Sequence, residues 1–455
     1  MPRHGFFVRC FLVALLSCSV QAQTLACGFE HTCALLQTGV VKCWGKNNDG
    51  QLGDGSTDDS ATPVQVVGIS NAVSVAAGGE HTCALLIDGT IKCWGKNAMA
   101  QIGDGNQGAD VLTPVTVGGI STATAVALGD THSCAVSADE TARCWGDSGR
   151  GQLGNGNAGH GGDVERVATE VSDLTEVWHI ALGSQYTYAE NTDGELFCWG
   201  ELGSNEDARE TNPARINAGA TVKHVSVGDG HACAVLYTGS VECWGDNSNG
   251  KLGDGTTENR GSPTLVTPGL TTATEVALGG DHSCALLESK TIKCWGRNDK
   301  GALGDNSRFD SNAPVDVTRL TGATSVAAGK AHSCAATTTG QVLCWGNNLH
   351  GQLGHGSSEE LSYVPVNVTG LTIAVAEVTT TASPPPDPLP PAPPLPPGAT
   401  TASPQPAPSP PPVPSPPLPA SLIFGESDYD SSVPRCFSKG NFSVSLAVSL
   451  VCASR

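Results

Sequence analysis

The groups most capable of chemistry recur in one arrangement. In "HTCALLIDGTIKCWG", residues 81–95, one imidazole and two thiols (His81, Cys83 and Cys93) flank an Asp88-Gly89 pair. The same ten-residue spacing relates Cys33 to Cys43, Cys134 to Cys144, Cys233 to Cys243, Cys284 to Cys294 and Cys334 to Cys344. Positions i and i+2 of a strand share a face, so His81, Cys83 and an opposed Cys93 would point the same way. These are ligand types that zinc accepts. Yet no fourth ligand recurs with them, and the chain contains no Cys-x-x-Cys. Six equal copies argue for a scaffold rather than for one catalytic thiol. Disulfides are the chemistry that remains, and they require a hairpin.

The spacing supplies one. With Cys83 opposite Cys93, Leu86 faces Thr90 and Ile87-Asp88-Gly89 is a three-residue loop. Such loops combine a type I turn with a left-handed residue in a G1 bulge, and Gly89 stands where that residue belongs. Gly39, Gly194, Gly239 and Gly340 take the same place, whereas Glu140 and Lys290 are exceptions. If Leu86 and Thr90 are the hydrogen-bonded closing pair, the cysteines form a non-hydrogen-bonded pair, the closer kind of cross-strand neighbour. Their Cβ atoms are then within disulfide reach. The loop-entropy account credits each closure with about 2.5–3 kcal/mol.

The remaining recurrent residues read as structural. His31, His81, His132, His231, His282 and His332 are expected to satisfy buried backbone carbonyls. The Trp of each Cys-Trp-Gly is expected to pack one repeat on the next. The turn "NNDGQLGDG" lacks EF-hand spacing, because Leu52 stands where the glycine after Asn47 should be. Turn chemistry accounts for its Asn and Asp residues. No catalytic residue, metal or cofactor is assigned.

These units repeat along most of the chain. Cys-Trp-Gly begins at 43, 93, 144, 198, 243, 294 and 344. Each unit holds four short strand-like stretches, so the expected fold is all-β, a seven-bladed β-propeller of four-stranded blades over residues 23–380. A closed ring also leaves no sheet edge exposed. Residues 1–22 read as a secretory signal peptide, with a basic start, an apolar stretch and Val20-Gln21-Ala22 as the cleavage site. No other segment approaches a transmembrane length. Removing the leader leaves 22 Lys and Arg against 44 Asp and Glu, since Arg3 and Arg9 depart without an acid. Such a surface repels phosphate backbones, which disfavours nucleic acid as a partner. An even set of cysteines in a secreted chain points to disulfides.

Beyond about residue 380 the composition changes. Residues 384–420 hold 20 of the 29 prolines and a single charge, Asp387. The linker 381–420 therefore reads as a polyproline II stalk. The tail 421–455 carries Cys436 and Cys452, a further candidate pair, and Asn441 in an N-glycosylation sequon. Asn367 heads a second sequon. Ser431-Ser432 followed by "SVSLAVSLVCA" is a weak match to a lipid-anchor signal. Cys27 and Cys198 are left unassigned; they fall on separated blades, and Cys27 is placed to capture a tail cysteine.

Two places stand out as candidate contact surfaces. The fourth unit has Tyr186 and Tyr188 where His and Cys stand elsewhere, a shortened turn "CWGELGSNEDARE", and Trp178 just upstream. Aromatic anchors suit interfaces and sugar faces. The competing reading is that Tyr188 fills space left by a lost disulfide. The second place is the ring of loops after each "QLGDG"-type turn, expected together on one propeller face. They differ in sequence and are acidic, through Asp58, Asp59, Asp110, Asp163, Glu165, Glu258, Asp310, Glu359 and Glu360. Differing loops on a repeated frame are where specificity resides, and these would steer basic partners.

Units such as "HTCALLIDGTIKCWGKNAMAQIGDG" resemble the repeats of the regulator of chromosome condensation family, over about residues 25–378. The resemblance implies a seven-bladed propeller. The family's founding member is a nuclear guanine-nucleotide exchange factor that also touches chromatin. A leader peptide, paired cysteines and an acidic surface all depart from that setting. The proline segment is similar to hydroxyproline-rich stalks of plant and green-algal extracellular matrix. The expectation is thus a secreted, monomeric, non-enzymatic scaffold binding an extracellular protein or glycan. The alternatives are an exchange factor for a small GTPase, by family analogy, and an extracellular carbohydrate-active enzyme.

Overall fold

A computed structural model describes residues 24–157, 163–201, 209–216 and 221–373. The expected leader at 1–22, the proline-rich segment 381–420, the tail with Cys436 and Cys452, and Asn441 fall outside these residues. The described chain forms seven four-stranded antiparallel sheets, each made of four consecutive strands. The blades span 25–65, 72–116, 123–170, 177–216, 222–265, 273–316 and 323–367. The seven innermost strands line a central cavity of about 240 Å³.

Blade 2 shows how the sequence builds a blade. Its second strand, His81–Leu86, is buried at every residue, because neighbouring blades cover both of its faces. Its outermost strand, Val111–Thr116, is only partly buried or exposed. The apolar core accordingly lies between blades: Leu85, Ile91 and Ile102 of blade 2 pack with Val126, Ala135 and Trp145 of blade 3. Cys83 stands opposite Cys93, with Cα atoms 4.1 Å apart and the sulfurs bonded. Disulfides likewise join Cys33–Cys43, Cys134–Cys144, Cys233–Cys243, Cys284–Cys294 and Cys334–Cys344. The Leu86 amide donates to Thr90 O at 2.9 Å, closing the three-residue loop. Gly89 has φ 80°, and Glu140 and Lys290 hold the same left-handed conformation at φ 62° without being glycine.

The ring closes without a shared sheet. No blade combines strands from both ends of the described chain. Blade 7 instead meets blade 1 through side chains and loops: Trp44 Nε1 donates to Gln352 O (2.9 Å), and the Gly356 amide to Ala61 O (3.0 Å). The two non-glycine turn positions yield a prediction. Left-handed backbone is unfavourable for residues with a Cβ, so Glu140→Gly and Lys290→Gly should each raise stability by up to about 1 kcal/mol. Gly89→Ala should lower it. Urea unfolding of the three variants measures both signs.

Candidate functional site

The loops between the third and fourth strands leave the ring on one side, together with the short turns after the innermost strands; Lys46 N donates to Glu30 O across them at 2.9 Å. The turn residues are consumed in building this loop face. Asn47 Oδ1 accepts from Leu52 N (2.9 Å), and its amide group donates to Asp54 Oδ1 and Ser56 O. Asp49 N donates to Gln51 Oε1 (2.9 Å). These bonds aim the carbonyl of Gln51 at blade 2, where it accepts from both Thr82 Oγ1 and Trp94 Nε1 at 2.9 Å. Gly53, at φ 68°, lies flat against that indole, and a Cβ there would sit 2.6 Å from Trp94 Nε1.

The same joint recurs around the ring. Gln352, Gln101, Gln152, Lys251 and Ala302 present the carbonyl to a hydroxyl and an indole of the next blade. The recurrent histidines complete it, and here the structure corrects the expectation. Their Nε2 atoms pair with hydroxyls of the following blade, as in His81 with Ser133 Oγ (2.9 Å), rather than with carbonyls. Each hydroxyl gives its one proton to the carbonyl, so the imidazole Nε2–H is the donor. Burial holds these rings neutral, with His81, His132 and His332 pushed down to about 3.

Several acidic loop residues also have internal duties. Asp59, Asp110 and Asp310 accept at Oδ1 from the amides of Asn47 (2.8 Å), Asn97 (3.1 Å) and Asn298 (2.7 Å), closing their own loops. Asn259 does the same for Asn247. In blades 3 and 7 the backbone oxygens of Asp163 and Glu360 take over, for Ser148 and Asn348. Glu165 accepts from Asn155 Nδ2 at 3.4 Å. Asp58, Glu258, Glu359 and Glu360 are exposed, and Glu258 has only a 3.7 Å pairing with Arg260. The sequence reading missed two apolar side chains on this face: Phe309 is 73% and Leu349 61% exposed, in the loops of blades 6 and 7. Their signal was an apolar residue within a polar loop. Where the central channel meets this face, Asp130 and Asp229 line its mouth beside Lys330, which lies over the Phe29 ring at 4.8 Å. Burial and the Asp229 charge push the Asp130 carboxyl up to about 7.

The fourth blade differs from its sequence-based candidacy as a contact surface. Tyr186 and Tyr188 are 5% and 2% exposed, so both belong to the interior. Tyr188 stands opposite Cys198, and its hydroxyl accepts from Trp244 Nε1 of blade 5 at 2.9 Å. It thereby replaces the carbonyl that the other six indoles use. Tyr186 stands where the histidine does elsewhere. The next blade has Ala232 in place of Ser or Thr, and the Tyr186 hydroxyl donates to Gly228 O at 2.8 Å instead. Trp178 is half-buried on the innermost strand, away from the loop face. Cys198 is disulfide-bonded. Cys27 is a free thiol whose burial pushes it up to about 12; it lies beside Thr32, His332 and the oxidised Cys334. Asn367 is exposed.

Near the same junction, Glu190 replaces a core aliphatic residue. Burial pushes its carboxyl up to about 8, with the Val225 amide offsetting little of that, and pushes His224 down to about 4 and His179 well below its usual value.

Comparison with known proteins places these features. The RCC1-like domain model matches residues 124–383, and regulator of chromosome condensation repeat models match 39–85 and 88–136, and 23–51 and 72–101. The Arabidopsis thaliana ultraviolet-B receptor UVR8 is 28% identical over 305 residues, covering 64% of this chain and 69% of the receptor. Human E3 ubiquitin-protein ligase HERC2 is 29% identical over 278 residues, 58% of this chain but 6% of the ligase. Yeast RCC1 (Prp20), in its crystal structure with Kap60, superposes with TM-score 0.65 at 20% identity, covering 73% of this chain and 84% of that one. Human WBSCR16 gives 0.61 at 22%, covering 69% and 87%. At these identities the superpositions establish the fold.

Two predictions arise from the fourth junction. Tyr188→Phe removes the acceptor of the buried Trp244 N–H and should cost about 1–3 kcal/mol in denaturant unfolding. Glu190, with its carboxyl raised from 4.5 to about 8, binds a proton in the folded state that the unfolded chain releases. Its contribution to stability therefore falls as pH rises from about 4.5 to 8. Glu190→Leu should be the more stable protein, with a gain that grows between pH 5 and pH 8 and reaches at least about 1 kcal/mol. Thermal or urea unfolding across that range checks the sign.

Proposed function

This chain belongs to the RCC1-like domain family, and from that premise we propose that it is a secreted, non-enzymatic scaffold that binds a basic protein through its loop face. One observation carries the reading: a repeated frame presents loops of differing sequence on one side. In blades 1, 2, 5, 6 and 7 the loop is bound to the frame by its Asn side chain, its cap and one carbonyl, which leaves its tip free to vary. Exposed acids such as Asp58, Glu258 and Glu359 supply charge, and Phe309 and Leu349 supply apolar anchors. The family precedent is protein binding, since yeast RCC1 (Prp20) was crystallised with Kap60. The leader-like N-terminus and six hairpin disulfides support work outside the cytosol, where such bonds persist. The proline-rich segment 381–420 would then hold the propeller away from its attachment point.

The test uses the full chain, tagged and expressed in its own cells. Recovery from the medium with an N-terminus at Gln23 is expected; cytosolic protein beginning at Met1 would exclude secretion. A partner captured from the extracellular fraction should be lost with Phe309→Ala and with the combined Asp58→Lys, Glu258→Lys and Glu359→Lys substitutions. These sites are exposed, so the variants should unfold within about 0.5 kcal/mol per substitution of the parent. Capture unchanged by both sets of substitutions would rule out the loop face.

A further inference from the structure

We propose that His179, His224 and Glu190, at the junction of blades 4 and 5, form a binding site for one divalent transition-metal ion of the zinc class, opening on the central channel. Three observations carry this. First, the polar atoms are poorly satisfied: His179 Nδ1 and His224 Nδ1 are buried without a hydrogen bond, and Glu190 has no side-chain hydrogen bond, only the nearby Val225 amide. Glu190 is 0% and His179 9% exposed. A buried carboxylate left this way is costly unless something pairs with it.

Second, the cluster departs from the repeat at matched positions. His179 stands opposite Glu190 in the same register that sets Ser74 opposite Leu85, Ala125 opposite Val136 and Ser325 opposite Ala336. No packing demand of the blade therefore calls for a carboxylate there. Glu275 occupies the position of the two histidines one blade further on, beside the Val326 amide, but Leu286 rather than a carboxylate stands opposite it.

Third, the donor set and its placement suit a metal. Two imidazoles and one carboxylate leave a zinc-class ion one open position for water. Both histidines line the channel, which gives an ion its route in and the water its room. The rings lie with centroids 4.9 Å apart, and His179 Nδ1 is 3.9 Å from Glu190 Oε1. Two donors on one tetrahedral ion sit about 3.3 Å apart, given bond lengths near 2.0 Å. The His179–Glu190 pair must close by less than an ångström. As placed, the three ligand atoms do not all lie within 4.8 Å of one another, so His224 must also turn about its own side-chain bonds, beside the channel that it lines.

The test is zinc titration of the chelator-treated full chain by calorimetry, with cobalt(II) absorption reporting coordination geometry. One equivalent should bind with a tetrahedral cobalt spectrum. His224→Ala and Glu190→Gln should each weaken binding at least tenfold, while unfolding curves show the blades intact. His350→Ala serves as the control, because His350, Asp59 and Glu30 form a separate group on the loop face. No uptake by the parent protein overturns the proposal. So does affinity unchanged in both His224→Ala and Glu190→Gln, or binding abolished by His350→Ala instead.

Discussion

One backbone carbonyl at each of six joints holds the ring together. It accepts a hydroxyl and an indole N–H from the next blade, using both lone pairs, as Gln51 does for Thr82 and Trp94. A single such bond is worth about 1 kcal/mol net, but a buried donor left without it costs more. The arrangement is therefore strongly specified at every site where it occurs. It fixes the loop that carries the carbonyl, the glycine that lets the loop lie against the indole, and the spacing between blades. Polar bonds of known direction set a rotation from blade to blade that apolar packing alone would leave loose.

Covalent and non-covalent links divide the labour. The six hairpin disulfides act within a blade, tying its second strand to its third. Between blades, the links among the described residues are packing, hydrogen bonds and ion pairs such as Lys46–Glu80 and Lys251–Asp281. Closure follows the same rule: blade 7 meets blade 1 through Gln352, Thr32, Trp44 and His332, the residues that would serve any other joint. A ring built of like joints needs no special clasp: the carbonyl joint is repeated six times, and Tyr188 stands in at the seventh.

The hairpins were legible in the sequence because their constraints are local. Ten-residue spacing, a glycine at the left-handed position and period-two alternation fixed strand pairing, loop and register together, and even the two exceptions at Glu140 and Lys290 fold the same way. The count of Cys-Trp-Gly triplets gave the blades. What could not be read was any bond between residues about fifty positions apart. The histidines looked like partners for carbonyls because nothing in one repeat shows that a hydroxyl of the next is nearer. Asp59, Asp110 and Asp310 looked like surface charge because a loop cap and a solvated acid have the same one-letter appearance. Phe309 and Leu349 were visible as residues, but their exposure depends on where the loops end.

The fourth blade shows how the joint constrains change. Its sequence shortens the turn that elsewhere delivers the carbonyl, and the Trp244 N–H bonds to a side chain instead. Tyr188 supplies an oxygen from the position that a hairpin cysteine holds in the other six blades. The following blade has Ala232 where others have a hydroxyl, so a histidine at 186 would have nothing to bond; Tyr186 reaches past it to Gly228 O. Each departure makes sense only beside the others, and reverting any one alone would strand a buried polar group. The frame therefore changes as a set or hardly at all, whereas loop tips beyond the Asn, the cap and the carbonyl change freely. That asymmetry confines variation to one face, and it is the physical reason to look for recognition there rather than among the aromatic residues that first drew attention.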